Sequence, residues 1–504
     1  MALLDNADGN MLQISILLGA ILGAASLLVY LFSRPSFPKD APRLTSDSWP
    51  ILGSPTFFSK RWEFFRDAVA RSKTGNFSFY VGQLPVIGLW GQEERKLFFE
   101  HRGLNFGEGY GALFAAAPEV KRDNNPLGKD ETRGDDFNNY FQRRLVALLK
   151  GPVLKRNLPT LLKDARANLD SLGSSGTTDP FDSIYRMVFQ FTMRTVACNE
   201  IADDPPLLSR CLSLYETVEN AADQWMIMFP WMPLLSKARR TYASAQLYMI
   251  FKKVVDDRKR HGRHEEDALQ FLIDQGDDLT KIITFVLGSL FAGQLNSGIN
   301  AAYILCYLAK HPDWIERVRE EVTDVADKYC SDQSLPLKDR LMQVPIEAWE
   351  GEFPMIDLCL KDTIRLQMAG ASFRKNTSGH AIPLKNGEVI PPGAYVAYHV
   401  NELHRNPEIY ADVDKWDPAR YLPERAEDKK QQYAWMGWGL ARHPCLGMRF
   451  AKLENNLIVA MFVAYFHDVY VSDRYGNPAE IPPPNENNLT AHKPDTPVYL
   501  TYKA

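Results

Sequence analysis

Trp438-Gly439-Leu440-Ala441-Arg442-His443-Pro444-Cys445-Leu446-Gly447 is the stretch on which the reading of this chain turns. A single cysteine, Cys445, sits in a glycine-bounded loop. Two basic side chains, Arg442 and His443, lie just before it, and an amphipathic run over 448–462 comes after. Such a loop brings backbone N–H groups to the sulfur, and the helix after it turns its positive end the same way. Both favour thiolate over thiol. The layout suits a thiolate ligand on a metal, with Arg442 and His443 placed to meet carboxylates of a bound group. A buried loop cysteine beside a helix is the alternative that these residues leave open.

The rest of the chain bounds that reading. It has 504 residues, a formal net charge of −4 and no long basic block, which argues against nucleic acid as a main partner. Cys198, Cys211, Cys306, Cys330, Cys359 and Cys445 are scattered, without a CxxC pair or zinc spacing, as in a reduced, cytosol-facing protein. Residues 11–32 carry no charge, and a helix of that length spans roughly 33 Å, about a bilayer core. A cleaved signal peptide fits less well, because the run is long and Asp5 and Asp8 precede it. Arg34, Lys39 and Arg43 come next, which places the body on the cytosolic side. Pro35, Pro38 and Pro42 make a stiff, non-helical hinge between anchor and body.

Further on, 77–81 and 85–89 flank Gly82 as a β-hairpin, and 104–120 reads as a glycine-rich loop. Residues 224–235 hold Trp225, Trp231, three methionines and Phe229, broken by Pro230 and Pro233. That is either a membrane or ligand contact or core packing between helices. Residues 279–310 contain no proline and predict one helix of roughly 48 Å. Ala292-Gly293-Gln294-Leu295-Asn296-Ser297-Gly298 lies in its middle. Two glycines there imply a close approach, a bend or tight helix–helix packing. Asp362 and Arg365 share a helix face, as a surface ion pair or as something more. Strands are expected over 381–389 and 394–400, and Trp416-Asp417-Pro418-Ala419-Arg420-Tyr421 stands between them and the cysteine loop.

Taken in order, these segments resemble the cytochrome P450 superfamily, in its eukaryotic microsomal form. The resemblance implies haem b, with Cys445 as the axial ligand of its iron. Trp438 stands where the family usually has Phe, Ala441 where Gly is usual, His443 where Arg is frequent, and Gly447 keeps the glycine two residues past the cysteine. Arg374 is then the strand residue that meets a propionate, and Arg143 or Arg144 is a second such residue unless that helix face is merely solvated. Asp362, a shortened Glu, joins Arg365 and Arg420 in a buried charge cluster. The family's distal motif falls on Gly293 and its neighbours, with Leu295 at the acid position and Asn296 at the threonine position. Ser297 is next and supplies a hydroxyl. Asn at this place is similar to the branch containing prostacyclin synthase and bile-acid-type sterol hydroxylases, some of which rearrange peroxides without a reductase.

The expected architecture is mostly α with a small β region. It comprises an N-terminal membrane anchor over 1–33 with its helix at 11–32, a proline-rich linker over 34–45, and one haem-thiolate catalytic domain over 46–504. The expected activity is monooxygenation of a hydrophobic small molecule in a biosynthetic pathway, with O2 and electrons from an NADPH-dependent reductase. The chain is expected at the endoplasmic reticulum membrane, in contact with membrane lipid. Gly293, Asn296 and Ser297 are the expected distal residues, 224–235 a substrate-entry lip, and Arg442, Arg449 and Lys452 a basic face for the reductase. A haem-thiolate isomerase or dehydratase working without O2, and a non-catalytic haem or sterol binder, are the competing readings.

Overall fold

The local signals for helices come first. Asp179 caps the helix that opens at Pro180, and Asp204 the helix that opens at Pro205, each accepting from a backbone N–H of the first turn. An acceptor followed by a proline that needs no partner is a strong helix start. Asp278 caps the longest helix in the same way, and His311-Pro312 ends it. The structure is a computed structural model and describes residues 17–19, 21–23, 26, 33–114, 137–221 and 223–504. Its longer helices are α1 (Arg61–Arg71), α2 (Gln92–Glu100), α3 (Phe106–Leu113), α4 (Phe137–Leu148), α5 (Gly151–Leu172), α6 (Pro180–Val196), α7 (Pro205–Asn220), α8 (Leu235–His261), α9 (Leu279–Lys310), α10 (Pro312–Tyr329), α11 (Pro354–Gln367) and α12 (Met448–Tyr465).

The β region is small. Strands β1 (Phe77–Val81), β2 (Leu84–Leu89), β3 (Leu104–Asn105), β5 (Ala371–Asn376) and β8 (Tyr395–His399) form one sheet in the order β1-β2-β8-β5-β3. Between them in the chain lie β4 (Ser175–Thr178), β6 (Ile382–Pro383) and β7 (Val389–Ile390). After them come β9 (Gly439–Leu440), β10 (His443–Pro444), β11 (Asp468–Ser472) and β12 (Tyr499–Lys503). β1 and β2 pair as the antiparallel hairpin expected around Gly82, whose φ is +58°. The expected loop over 104–120 is instead β3 followed by α3, and 115–120 lies outside the described residues.

α9 runs through the centre of the helical layer, packed on α6, α11 and α12. By length and hydropathy alone it qualifies as a membrane span, but 61% of its apolar window is buried against protein, so it is a core helix. Its two glycines do different things. A Cβ at Gly298 would stand 2.6 Å from the Tyr185 ring, so this glycine lets α6 approach. A Cβ at Gly293 meets nothing nearer than 3.9 Å, and the helix is continuous through both positions.

Most of the 11–32 anchor lies outside the described residues. Those described, 17–19, 21–23 and 26, are helical, and Leu17, Leu18, Ile21 and Leu22 are exposed. The 34–45 stretch corrects an expectation. It is non-helical, as its prolines require, but it is docked along β1 and does not swing as a free hinge. Ser78 exchanges backbone hydrogen bonds with Arg43 and Thr45, and its hydroxyl donates to the Pro42 carbonyl at 2.6 Å. The Tyr80 hydroxyl donates to the Pro35 carbonyl at 2.7 Å, with Phe37 and the Arg34 guanidinium each 4.9 Å from its ring.

The glycine contrast is testable. Gly298→Val is expected to destabilise the fold by about 1–3 kcal/mol through overpacking against Tyr185. Gly293→Ala is expected to hold or raise stability by up to about 1 kcal/mol, because Ala favours helix and the space is open. Denaturant melts of both variants check the pair, and equal losses would refute the assignment.

Candidate functional site

The cysteine loop is built by a two-residue hairpin. Gly439 faces Pro444 and Leu440 faces His443 across β9 and β10. Gly439 has φ +70°, and a Cβ there would collide with the His443 carbonyl. Ala441 also lies in the left-handed region, at φ +50°. The position where the family usually has Gly does require that conformation, and an L-residue holds it here at some cost. The Cys445 N–H donates to the Trp438 carbonyl at 2.8 Å, which closes the loop, and Trp438 packs edge-on to Trp435. Gly447 is the N-cap of α12.

Among the six cysteines Cys445 alone is exposed. Its exposure is to the open side of the loop. The protein packed behind it still desolvates the thiol and raises its pKa, while the N–H groups of Gly447 and Met448 at the start of α12 act in the opposite direction.

Three basic groups gather beside it. The His443 ring stacks on Phe106 of α3 at 5.3 Å. α3 is pressed onto β5, because Gly109 leaves no room for a Cβ against the Arg374 backbone. Arg374 is 2% exposed and lies between the faces of Phe98 and Phe106, at 4.7 and 4.8 Å. Its Nη1 donates to the Phe373 carbonyl at 2.7 Å, and its Nε has no acceptor. Burial pulls its pKa down to about 10. Burial, with the Arg374 and Arg442 charges, pulls His443 down to about 4. No carboxylate among the described residues pairs with Arg374, Arg442 or His443. A buried guanidinium without an anion is costly, and carboxylates of a bound haem fit that need. Arg144 is committed elsewhere, in a two-pronged pair with Asp277 at 2.9 Å on each arm. The propionate role that the resemblance gives to an arginine of α4 therefore does not fall to Arg144.

The Asp362–Arg365 pair is no surface ion pair. Both side chains are fully buried, 2.7 Å apart. Arg365 also donates to the carbonyls of His404, Val413 and Lys415. Asp362 accepts from the Asp417 N–H at 2.6 Å and the Tyr421 hydroxyl at 3.0 Å. The Arg420 Nε lies 3.7 Å from Asp362, and its Nη1 reaches Glu427 at 3.0 Å. Glu427 is a cluster member that the sequence reading missed. The shorter aspartate is accommodated by letting Arg420 lean on the second carboxylate.

α9 presents its functional face as a short stripe. Ala292 and Asn296, one turn apart, are exposed in an otherwise buried or half-buried stretch, while Leu295 packs toward the core. Ser297 is turned away from that stripe, which corrects the expectation that it stands beside Asn296. It is buried, and its hydroxyl is directed at Glu454 of α12. Phe291, on the same helix, meets Phe114 edge-on at 5.2 Å. Phe373, Met228, Phe229 and Leu489 belong to the same apolar cluster. The 224–235 stretch is divided: Met228 and Phe229 turn inward into the core, whereas Trp225 and Trp231 are 42% and 47% exposed.

The expected reductase face is also revised. Arg449 pairs with Glu350 through two contacts of 2.6 and 2.7 Å, and Lys452 pairs with Asp357. Two of its three cations are neutralised by their own chain.

With this geometry in place, the comparisons are decisive for the family. The Cytochrome P450 family model matches residues 46–490. Cytochrome P450 monooxygenase AacuE of Aspergillus aculeatus is 36% identical over 445 residues, 87% of this chain and 88% of that protein. Cytochrome P450 monooxygenase nsrP of Aspergillus novofumigatus is 36% identical over 463 residues, 90% and 88% of the two chains. Sterol 14-demethylase of Arabidopsis thaliana is more distant, 26% identical over 68% of each chain. A solved structure, the retinoic acid-bound cyanobacterial CYP120A1, shares the fold at TM-score 0.68 with 20% identity, covering 93% of this chain and all of that one. A cysteine-bearing loop before a helix, near a buried guanidinium that no carboxylate among the described residues neutralises, is the site of a haem enzyme. This chain belongs to the cytochrome P450 family, whose members use haem b and act as oxygen-incorporating oxidoreductases.

The buried groups have two measurable consequences. Asp362→Asn is expected to cost about 3–5 kcal/mol, because Arg365 stays buried with its counter-charge removed, whereas Arg420 keeps Glu427. Urea unfolding of the haem-loaded chain reads it, and a loss under about 1 kcal/mol would contradict the cluster. Glu454 is held by burial at about 8, above its unfolded value. The folded state therefore binds a proton that the unfolded state has lost, and stability falls as pH rises from about 4.5 to about 8. Glu454→Gln should raise the melting temperature more at about pH 8.5 than at about pH 5. A pH-independent difference would mean that the carboxyl is ionised throughout.

Proposed function

We propose that this chain is a membrane-tethered P450 monooxygenase that oxidises a hydrophobic small molecule, with electrons from an NADPH-dependent reductase. One observation carries the reading: Cys445 is the exposed cysteine, on a loop with two N–H groups at its sulfur and with the buried Arg374 nearby, which has no carboxylate partner among the described residues. Cys445 would ligate the haem iron, Arg374 and His443 would hold its propionates, and Arg442 would add charge at the rim. Haem, when bound there, supplies the redox chemistry and the activation of dioxygen. Phe114, Phe291, Phe373, Met228, Phe229 and Leu489, which cluster together, would wall an apolar chamber that excludes water and holds the substrate. Asn296 offers its amide to the cleft and orders a proton-carrying water there.

The exposed Leu17, Leu18, Ile21 and Leu22, with Arg34, Lys39 and Arg43 after them, support an anchor with the body on the cytosolic face of the endoplasmic reticulum. Trp225 and Trp231 suit contact with the bilayer interface, so that an apolar substrate enters from lipid. A second reading, isomerisation or dehydration without O2, is favoured by one observation. The stripe that α9 shows to the cleft holds an amide and no acid or hydroxyl.

The reduced carbon monoxide difference spectrum tests the first reading. A thiolate-type Soret band that Cys445→Ala abolishes is the expected result, and an unchanged band in the variant would sink it. Asn296→Ala should lower product formed per NADPH consumed by about tenfold or more while leaving that band in place. Turnover that persists without O2 and reductase selects the second reading.

A further inference from the structure

Behind the apolar chamber lies a buried charge that the chemistry above does not use. Arg61, the first residue of α1, is 5% exposed. Its Nη1 donates to the Asn487 carbonyl at 2.8 Å, and its guanidinium lies over the Phe57 ring at 5.2 Å. Among the described residues no carboxylate pairs with it, and its Nε is a buried donor without an acceptor. Burial alone pulls it down to about 10. Beside it stands His399, fully buried at the end of β8, with Trp62 and Phe65 at 4.8 and 5.1 Å from its ring. Burial and the Arg61 charge hold that imidazole neutral. Its Nδ1 accepts from the Asn401 N–H at 3.2 Å, so its proton sits on Nε2, and Nε2 also has no acceptor.

We propose that Arg61 and His399 form a binding site for a carboxylate, at the junction of α1, β8 and the 485–489 loop. A cation and two N–H donors left buried without an acceptor are costly, and one compact oxyanion satisfies all three. Arg61 supplies the charge and the Nε–H, and His399 supplies the Nε2–H. The carboxylate has two sources, an acid group on the substrate or a free small anion. The chamber adjoins the site: Phe57 meets Phe373 edge-on at 6.2 Å, and Asn487, which also accepts from Trp62 N–H, lies two residues before Leu489. An acid arm on a molecule held in the chamber would reach Arg61 along this wall. The substrate source rests on the chamber reading above, whereas the site itself does not.

The full-length, haem-loaded chain is titrated with dodecanoate and with dodecanamide, and its melting temperature is followed in sodium acetate, beside Arg61→Met. Dodecanoate binding roughly tenfold more tightly than the amide, with the ratio falling toward one in Arg61→Met, supports the substrate source. No acid preference, but an acetate-dependent rise in melting temperature that Arg61→Met abolishes, supports the free anion. Neither effect, or either effect intact in Arg61→Met, overturns the site. Should that variant fail to fold, Arg61→Lys takes its place; it keeps the charge and lacks the Nε–H. A reduced preference is then expected, and an unchanged one overturns the proposal. The carbon monoxide spectrum, which reports Cys445, separates loss of haem from loss of this site.

Discussion

A carboxylate and two guanidiniums withdrawn from water hold this molecule together around its cysteine. Arg365 and Arg420 spend most of their donors on backbone carbonyls between His404 and Lys415, a meander with little regular structure of its own. That meander in turn fixes the next segment of the chain. The Tyr410 hydroxyl donates to the Ala434 carbonyl, and the His404 ring accepts from the Met436 N–H. Two residues later comes Trp438, whose carbonyl closes the cysteine loop. The position of the sulfur is thus inherited from an ion cluster through a chain of side chain-to-backbone bonds, which is how an irregular segment can be as rigid as a helix.

The distal side works by a different rule. A single continuous helix must pack against several others and still leave a working face, and it does so with a stripe one turn long. Ala292 and Asn296 are left out of the packing, while Gln294, Ser297 and Gly298 are consumed by it. Gln294 donates to the Tyr185 carbonyl at 2.8 Å, and Gly298 admits the Tyr185 ring. The side chain at the threonine position of the family motif is thereby the exposed one, and the hydroxyl next to it is buried.

Where the decisive signal is local, the sequence shows it. The bounds of α9 are legible from its capping aspartate and the proline beyond its end. The hairpin about Gly82 comes from β-prone runs around a glycine, and the cysteine loop from its glycines. The illegible parts depend on partners distant in the chain. Glu350 and Asp357 neutralise Arg449 and Lys452 from about a hundred residues away, and Glu427 joins a cluster whose other acid lies on α11. Ser297 and Asn296 differ by one residue, and the choice of which faces the cleft belongs to the register of α9 against its neighbours, which no pattern within α9 fixes.

The docked 34–45 segment also changes what kind of object the sheet is. β1 is the outermost strand on its side of the sheet, and Leu44 bridges to Ser78 in parallel, with Arg43 and Thr45 bonding to it. The 34–45 segment therefore serves as a selvedge, occupying hydrogen-bonding groups that would otherwise stand open to another chain. A chain shortened to begin at Arg34 keeps that finished border. One shortened to begin after Thr45 bares it, and gains a new way to stick to itself.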